Sequence, residues 1–258
     1  MPEGDTVFLA AARLRAALAG KELVRSDFRV PKYATLDLRG EPVESVGSYG
    51  KHLFVRTPEL SIHTHLKMEG EWRVYQPGQR WTKPGFTARL VLATAEAEAV
   101  GFSLGTVEVL RRADEHQATD HLGPDLLGPN WDAAEAVRRL SEKPDLPIAL
   151  ALLDQRNLAG IGNIYRSEVC YLRRIHPATP VGEIADLPGL VDEAHRVLTQ
   201  AAHKPPWRAL AYGRQRRPCQ RCGTIIVVHL IGDPQTYPAR ADRGIYFCPR
   251  CQPAPISR

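Results

Sequence analysis

The run His121-Leu122-Gly123-Pro124-Asp125-Leu126-Leu127-Gly128-Pro129-Asn130 decides how this 258-residue chain is read, because the hydrophobic period changes across it. Its paired glycines and prolines disfavour both helix and strand and mark a connection between domains. Upstream, from Glu22 to about Arg112, short β-branched or alternating runs follow one another between glycines and prolines: 23–30, 43–49, 52–56, 60–65, 72–75, 88–92, 99–104 and 107–110. Many short strands in series predict an antiparallel β-sandwich. Ahead of them Val7, Ala11, Leu14 and Leu18 recur on one helical face, with Asp5 as the cap and Gly20 as the stop. Downstream the period becomes helical over 132–140, 147–154, 163–172 and 187–203. The expected class is therefore α+β, with an N-terminal sandwich over 1–120, a helical domain over 121–210 and a basic, cysteine-bearing module over 211–258.

A composition of 43% hydrophobic and 24% charged residues fits a globular protein rather than a disordered one. No run of eighteen apolar residues is present, and Met1-Pro2-Glu3-Gly4-Asp5 is acidic and polar where a secretory leader is basic and then apolar. These features predict a cytoplasmic protein. Its charge is local: residues 203–258 hold ten Lys or Arg against two Asp or Glu, a balance of +8, so the first 202 residues carry −3 of the total +5. A basic module on a nearly neutral body suits a polyanion such as nucleic acid, and equally suits a solvated basic face.

Four of the five cysteines form two C-x2-C pairs, Cys219/Cys222 and Cys248/Cys251, separated by 25 residues. In a reducing compartment paired spacing of this kind favours metal over disulfides, and four thiolates can surround one Zn²⁺ tetrahedrally. Such a site is closed, hence structural. The stretches 224–228 and 244–247 are expected to form its hairpin, lengthened by an insertion over 231–241. Cys170 stands apart and reads as a packed, reduced core thiol.

Two further places carry chemistry. Pro2 is small enough for Met1 to be removed, which leaves a secondary amine; an α-amino group titrates near pKa ~8, so part of it is neutral at physiological pH and can attack an aldehyde-like carbon. Glu3 can then relay protons. Proline at position two is by itself ordinary processing chemistry. The segment Leu158-Ala159-Gly160-Ile161-Gly162-Asn163-Ile164-Tyr165 is a glycine turn opening a helix, where backbone N–H groups and the Asn163 amide can meet a phosphate; a tight helix connection is the plainer reading.

Read together, these places resemble the formamidopyrimidine-DNA glycosylase/endonuclease VIII family over essentially the whole chain. Met1-Pro2-Glu3-Gly4-Asp5-Thr6-Val7 looks like the family's amino terminus in its endonuclease VIII form, and Gly50-Lys51-His52-Leu53 is similar to its catalytic-lysine strand. His63-Thr64-His65-Leu66-Lys67-Met68-Glu69-Gly70-Glu71-Trp72-Arg73 resembles its void-filling loop, and Leu153-Asp154-Gln155 through Gly162-Asn163-Ile164-Tyr165 its helix–two-turn–helix. Tyr212-Gly213-Arg214 leads into the zinc finger as in family members.

The resemblance implies a monomeric base-excision-repair DNA glycosylase with β,δ-elimination lyase activity, working on damaged DNA with one structural zinc. Pro2 would displace the damaged base from C1′ as a Schiff base, Glu3 would shuttle protons, and Glu168 would help hold the amino terminus. Lys51, Asn163 and Arg243 would grip phosphates flanking an everted nucleotide, joined by Tyr165 on the same helix and by His65, unless His63 and His65 are ordinary members of one strand face. Met68 would fill the space the base leaves.

Three departures point to the endonuclease VIII branch, and so to oxidised pyrimidines. Thr6 stands where the formamidopyrimidine branch has a second glutamate, 200–217 is too short for that branch's covering loop, and 101–112 lacks its arginine–phenylalanine gap filler. The alternatives are a binding protein that has lost chemistry, a glycosylase preferring oxidised purines, and an amino-terminal-proline tautomerase, which has no use for a phosphate turn or a basic ribbon.

Overall fold

The computed structural model describes residues 2–231 and 244–255, and the chain divides into two compact units between His121 and Leu122. The first unit opens with helix α1 (Gly4–Leu18), whose Val7, Ala11, Leu14 and Leu18 are buried as their spacing predicts. The helix starts two residues earlier than expected. Glu3 is the N-cap residue and Asp5 lies in the first turn, where its carboxylate faces the positive end of the helix dipole instead of capping it.

Eight strands follow: β1 (Arg25–Phe28), β2 (Ser45–Tyr49), β3 (His52–Arg56), β4 (Leu60–His65), β5 (Glu71–Tyr75), β6 (Ala88–Ala93), β7 (Glu98–Phe102) and β8 (Thr106–Arg111). They form two antiparallel four-stranded sheets, ordered β2-β3-β4-β8 and β1-β6-β7-β5. Alternation along each strand sends Val46, Leu53, Val55 and Ile62 of one sheet and Phe28, Leu90, Leu92 and Ala99 of the other into one core shared with α1. Trp72 joins that core and donates its indole N–H to Thr64 Oγ1 across the sheets, at 3.3 Å. This is the predicted sandwich, with α1 contributing to its interior.

The second unit holds α2 (Ala133–Ser141), α3 (Ile148–Ala151), α4 (Asn163–Arg173) and α5 (Leu187–His203), then the hairpin β9 (Val227–His229) and β10 (Ile245–Phe247). Leu140, Ile148, Leu152, Ile161, Val169, Leu190, Val197 and Leu198 make its core. Helix α3 is shorter than the expected 147–154. Asn157 Nδ2 donates to Ala151 O and Gln155 Nε2 to Leu153 O, both at 2.8 Å, so side chains take up carbonyls that a longer helix would bond internally. The ribbon packs through β10 on α4. Most of the insertion expected over 231–241 lies outside the described residues, as does Arg243.

Candidate functional site

In the first unit, Pro2 precedes α1 and Glu3 is buried to 1% exposure at the helix start, its carbonyl accepting from Val7 N at 3.1 Å. Arg15 Nε donates to Val46 O at 2.7 Å and fixes α1 to β2. The unit gathers three other predicted residues at one end of the β2-β3-β4 layer. Lys51 lies in the turn between β2 and β3, His65 ends β4 directly opposite His52, and Met68 follows in the next turn. Lys51 and Lys67 are both near enough to His65 to disfavour its protonation; with burial as the leading cause, its pKa falls to about 4.

The turn bearing Met68 is tightly specified. Leu66 is buried, Lys67 takes a left-handed conformation with φ 54°, and Gly70 N donates back to Leu66 O at 2.9 Å. A side chain at Gly70 would come within 2.4 Å of that carbonyl, so only glycine closes the turn. Met68 is left 53% exposed.

In the second unit, Gly160 has φ 113° and Gly162 precedes α4, whose first residue is Asn163. The Asn163 amide is already engaged: Nδ2 donates to Gly244 O at 3.1 Å and Oδ1 accepts from Arg166 Nε at 2.8 Å. An amide nitrogen has two hydrogens, so one donor remains beyond the bond that ties α4 to the ribbon. Tyr165 differs from expectation. Its ring is 2% exposed, in the helical core against Trp207, so any phosphate contact from this position comes from the main chain.

Glu168 is engaged by a segment of its own unit. It is fully buried, and its carboxylate accepts from Leu210 N at 2.7 Å, Ala211 N at 2.9 Å, Tyr212 N at 2.8 Å and Trp207 Nε1 at 3.2 Å. Four donors from one segment converge on its carboxylate. Glu168 positions 207–212, the approach to the ribbon. Nothing in the sequence flags this, because the donors are mostly main-chain.

The four ribbon cysteines converge, with all Sγ atoms within 4.8 Å of one another. Three of the edges, Cys222–Cys251 3.4 Å, Cys222–Cys248 3.5 Å and Cys219–Cys251 3.9 Å, bracket the roughly 3.8 Å edge of a sulfur tetrahedron built on ~2.3 Å metal bonds. Arg221 N and Cys251 N each point at the sulfur two or three residues back, Cys219 and Cys248, at 3.4 Å. The set can therefore hold one metal ion. Tyr171 Oη lies 3.3 Å from Cys219 Sγ, and Arg221 stacks over the Tyr171 ring, so the ribbon is keyed to α4. Cys170 is the expected core thiol: burial pushes its pKa up to about 12.

Sequence reasoning treated His63 and His65 as a pair and passed over His52, Lys67 and Glu108. The signal lay in strand register. His52 and His65 are direct cross-strand partners, as are His63 and Glu108.

Residues 1–112 match the formamidopyrimidine-DNA glycosylase N-terminal domain, and residues 122–205 match the formamidopyrimidine-DNA glycosylase H2TH domain. With the sandwich and the four-cysteine ribbon, these matches define a two-unit glycosylase of the helix–two-turn–helix class. Similar proteins include a probable endonuclease 8 2 of Streptomyces coelicolor, 47% identical over 100% of this chain and 96% of that one. A DNA-(apurinic or apyrimidinic site) lyase Nei2 of Mycolicibacterium smegmatis is 46% identical over 98% and 100%. Among solved structures, the Lactococcus lactis formamidopyrimidine-DNA glycosylase bound non-covalently to DNA containing an AP site superimposes with a TM-score of 0.82, at 22% identity over 98% of this chain and all of that one. The chain belongs to the formamidopyrimidine-DNA glycosylase/endonuclease VIII family.

Proposed function

We propose that this chain is a base-excision DNA glycosylase and abasic-site lyase of the endonuclease VIII type, acting on oxidised pyrimidines in chromosomal DNA. One observation carries the reading: a proline is positioned to become the amino terminus, followed by a carboxylate buried to 1% exposure at the start of a core helix. A buried carboxylate beside an amine is a proton carrier where attack on a sugar carbon needs one.

In this reading the lesion nucleotide is turned out of the stack and the Pro2 nitrogen attacks C1′. The glycosidic bond breaks and the base leaves with a proton passed through Glu3; the Pro2 nitrogen sheds its own proton, and its lone pair then opens the C1′–O4′ bond, O4′ taking a proton, so that C1′ becomes an iminium carbon. That electron sink acidifies the C2′ hydrogens. Loss of a C2′ proton expels the 3′ phosphate, and a second elimination expels the 5′ phosphate. Lys51, His65, the α4 start at Asn163 and, outside the described residues, Arg243 hold the flanking phosphates, while Met68 occupies the vacated space. Cys219, Cys222, Cys248 and Cys251 hold one Zn²⁺ as a structural ion, which fixes the ribbon and takes no part in the chemistry. The protein works as a monomer in the cytoplasm, at the nucleoid.

Borohydride reduction on an oligonucleotide with an abasic site tests this. A covalent adduct is expected, with mass spectrometry placing the DNA on the Pro2 nitrogen. An extra residue ahead of Pro2 turns that nitrogen into an amide and should abolish the adduct. Adduct formation by the extended chain would overturn the reading. A lesion panel checks the branch: thymine glycol and 5-hydroxyuracil should be cleaved faster than 8-oxoguanine opposite cytosine.

A further inference from the structure

The face of the β3-β4-β8 layer turned away from the core carries a chain of three titratable groups. Glu108 Oε2 on β8 lies 2.9 Å from His63 Nδ1, and His63 Nε2 lies 2.8 Å from His52 Nδ1 on β3. Polarity fixes the protons. An ionised carboxylate only accepts, so His63 carries hydrogen on Nδ1; neutral His63 then accepts at Nε2, and His52 donates from Nδ1. The remaining nitrogen, His52 Nε2, is thereby a bare acceptor, and it makes no hydrogen bond among the described residues. His65 is set the other way: its Nδ1 accepts from Lys67 N at 2.9 Å, which leaves its hydrogen on Nε2.

The groups around His52 are basic on every side but one. His63 and His65 face it from β4, Lys67 from the following turn and His121 from the end of the unit, while Lys51 adjoins His65. Glu108 is the carboxylate in this group, reached only through His63, and Lys32 lies near it. Burial and the like charges hold His52 down at about 3, so it is neutral in the free protein. A phosphate arriving among Lys51, His65 and Lys67 reverses that balance, since a unit anion at about 5 Å makes a proton about a hundredfold easier to hold at an effective dielectric near 20.

We propose that Glu108, His63 and His52 form a proton relay that switches the free nitrogen of His52 from acceptor to donor when a DNA phosphate docks against Lys51, His65 and Lys67. A proton from solvent binds His52 Nε2, and the proton between the rings crosses from His52 Nδ1 to His63 Nε2. His52 ends neutral with hydrogen on Nε2, and the positive charge rests on His63 against the Glu108 carboxylate. The relay makes docking take up one proton, so affinity depends on pH through residues that do not touch the DNA. His63 and Glu108 are positioning residues, and the phosphate's place rests on the function proposed above.

Binding of a duplex carrying a tetrahydrofuran abasic analogue, followed by fluorescence anisotropy between about pH 4.5 and about pH 6.5, where the complex but not the free protein should take up the proton, tests the relay. One proton taken up gives the wild type up to about tenfold tighter binding per pH unit. Glu108→Gln should flatten that slope whatever its affinity at high pH, and Glu108→Asp should restore part of it. Long-range ¹H–¹⁵N correlation spectra of the wild type should show His52 Nε2 bare in the free protein and protonated in the complex; this arm decides the matter if the variant fails to fold. An equal slope in Glu108→Gln, a flat wild type, or Nε2 already protonated without DNA would each overturn the relay. Borohydride trapping at about pH 8.5 separates the two proposals, because Pro2 chemistry does not need the relay.

Discussion

Met68 stands on a turn that carries unfavourable backbone geometry to present it. A non-glycine residue in the left-handed region, as Lys67 is, costs roughly 1–2 kcal/mol, and an exposed thioether returns nothing to the folded state. Met68→Ala should therefore leave stability within about 0.5 kcal/mol of wild type in urea denaturation. Single-turnover cleavage of a lesion duplex should fall about tenfold or more, since burying a methionine side chain is worth about 1.5–3 kcal/mol. Unchanged cleavage would remove Met68 from the void-filling role. The exposure of Met68 was legible because its neighbours Lys67, Glu69 and Gly70 cannot form a core. Tyr165 was not, because one glycine turn serves a core tyrosine and a phosphate-facing helix start alike. The relay was half legible: His63 and His65 alternate on one strand face, whereas His52 and Glu108 join them only through pairing register, which no single strand encodes.

At the scale of elements, every expected strand and helix formed, and at α3 the boundary moved where side chains compete with the backbone. Helix α3 stops at Ala151 because Asn157 and Gln155 supply hydrogen bonds from beyond it, a tertiary event invisible to periodicity. Glu168 shows the same limit on α4: its helical position was readable, its four donors from 207–212 were not. Two roles for it make opposite predictions. As the clasp of 207–212, Glu168→Gln strands buried N–H donors and should destabilise the second unit by about 3 kcal/mol, the penalty for removing a charged acceptor. As a tether of the amino terminus, it would lower borohydride trapping with stability intact. Urea titration beside trapping yields decide, and the structure favours the first outcome.

The whole chain is two units with different dependences on the medium, a division foreshadowed by the change of period across 121–130. In the first unit His52 and His65 are kept neutral, with pKa values near 3 and 4 against 6.5 for the unfolded chain. The unfolded state thus binds more protons, and the stability these groups contribute is full above about pH 6.5 and lost as acid approaches pH 4. Among the described residues the second unit holds one such group, His176, half-buried and lowered by burial and by His229, so its loss is smaller. Its own dependence is on the ribbon, where four thiolates gathered without a large core rely on a metal ion for cohesion. Calorimetry should accordingly separate two transitions. Lowering the pH from about 7.5 to about 5 should move the first unit's transition down further than the second's. A strong chelator at about pH 7.5 should do the reverse and abolish binding to abasic DNA. A chelator without effect on the second transition would mean that the cysteine cluster holds its shape without an ion.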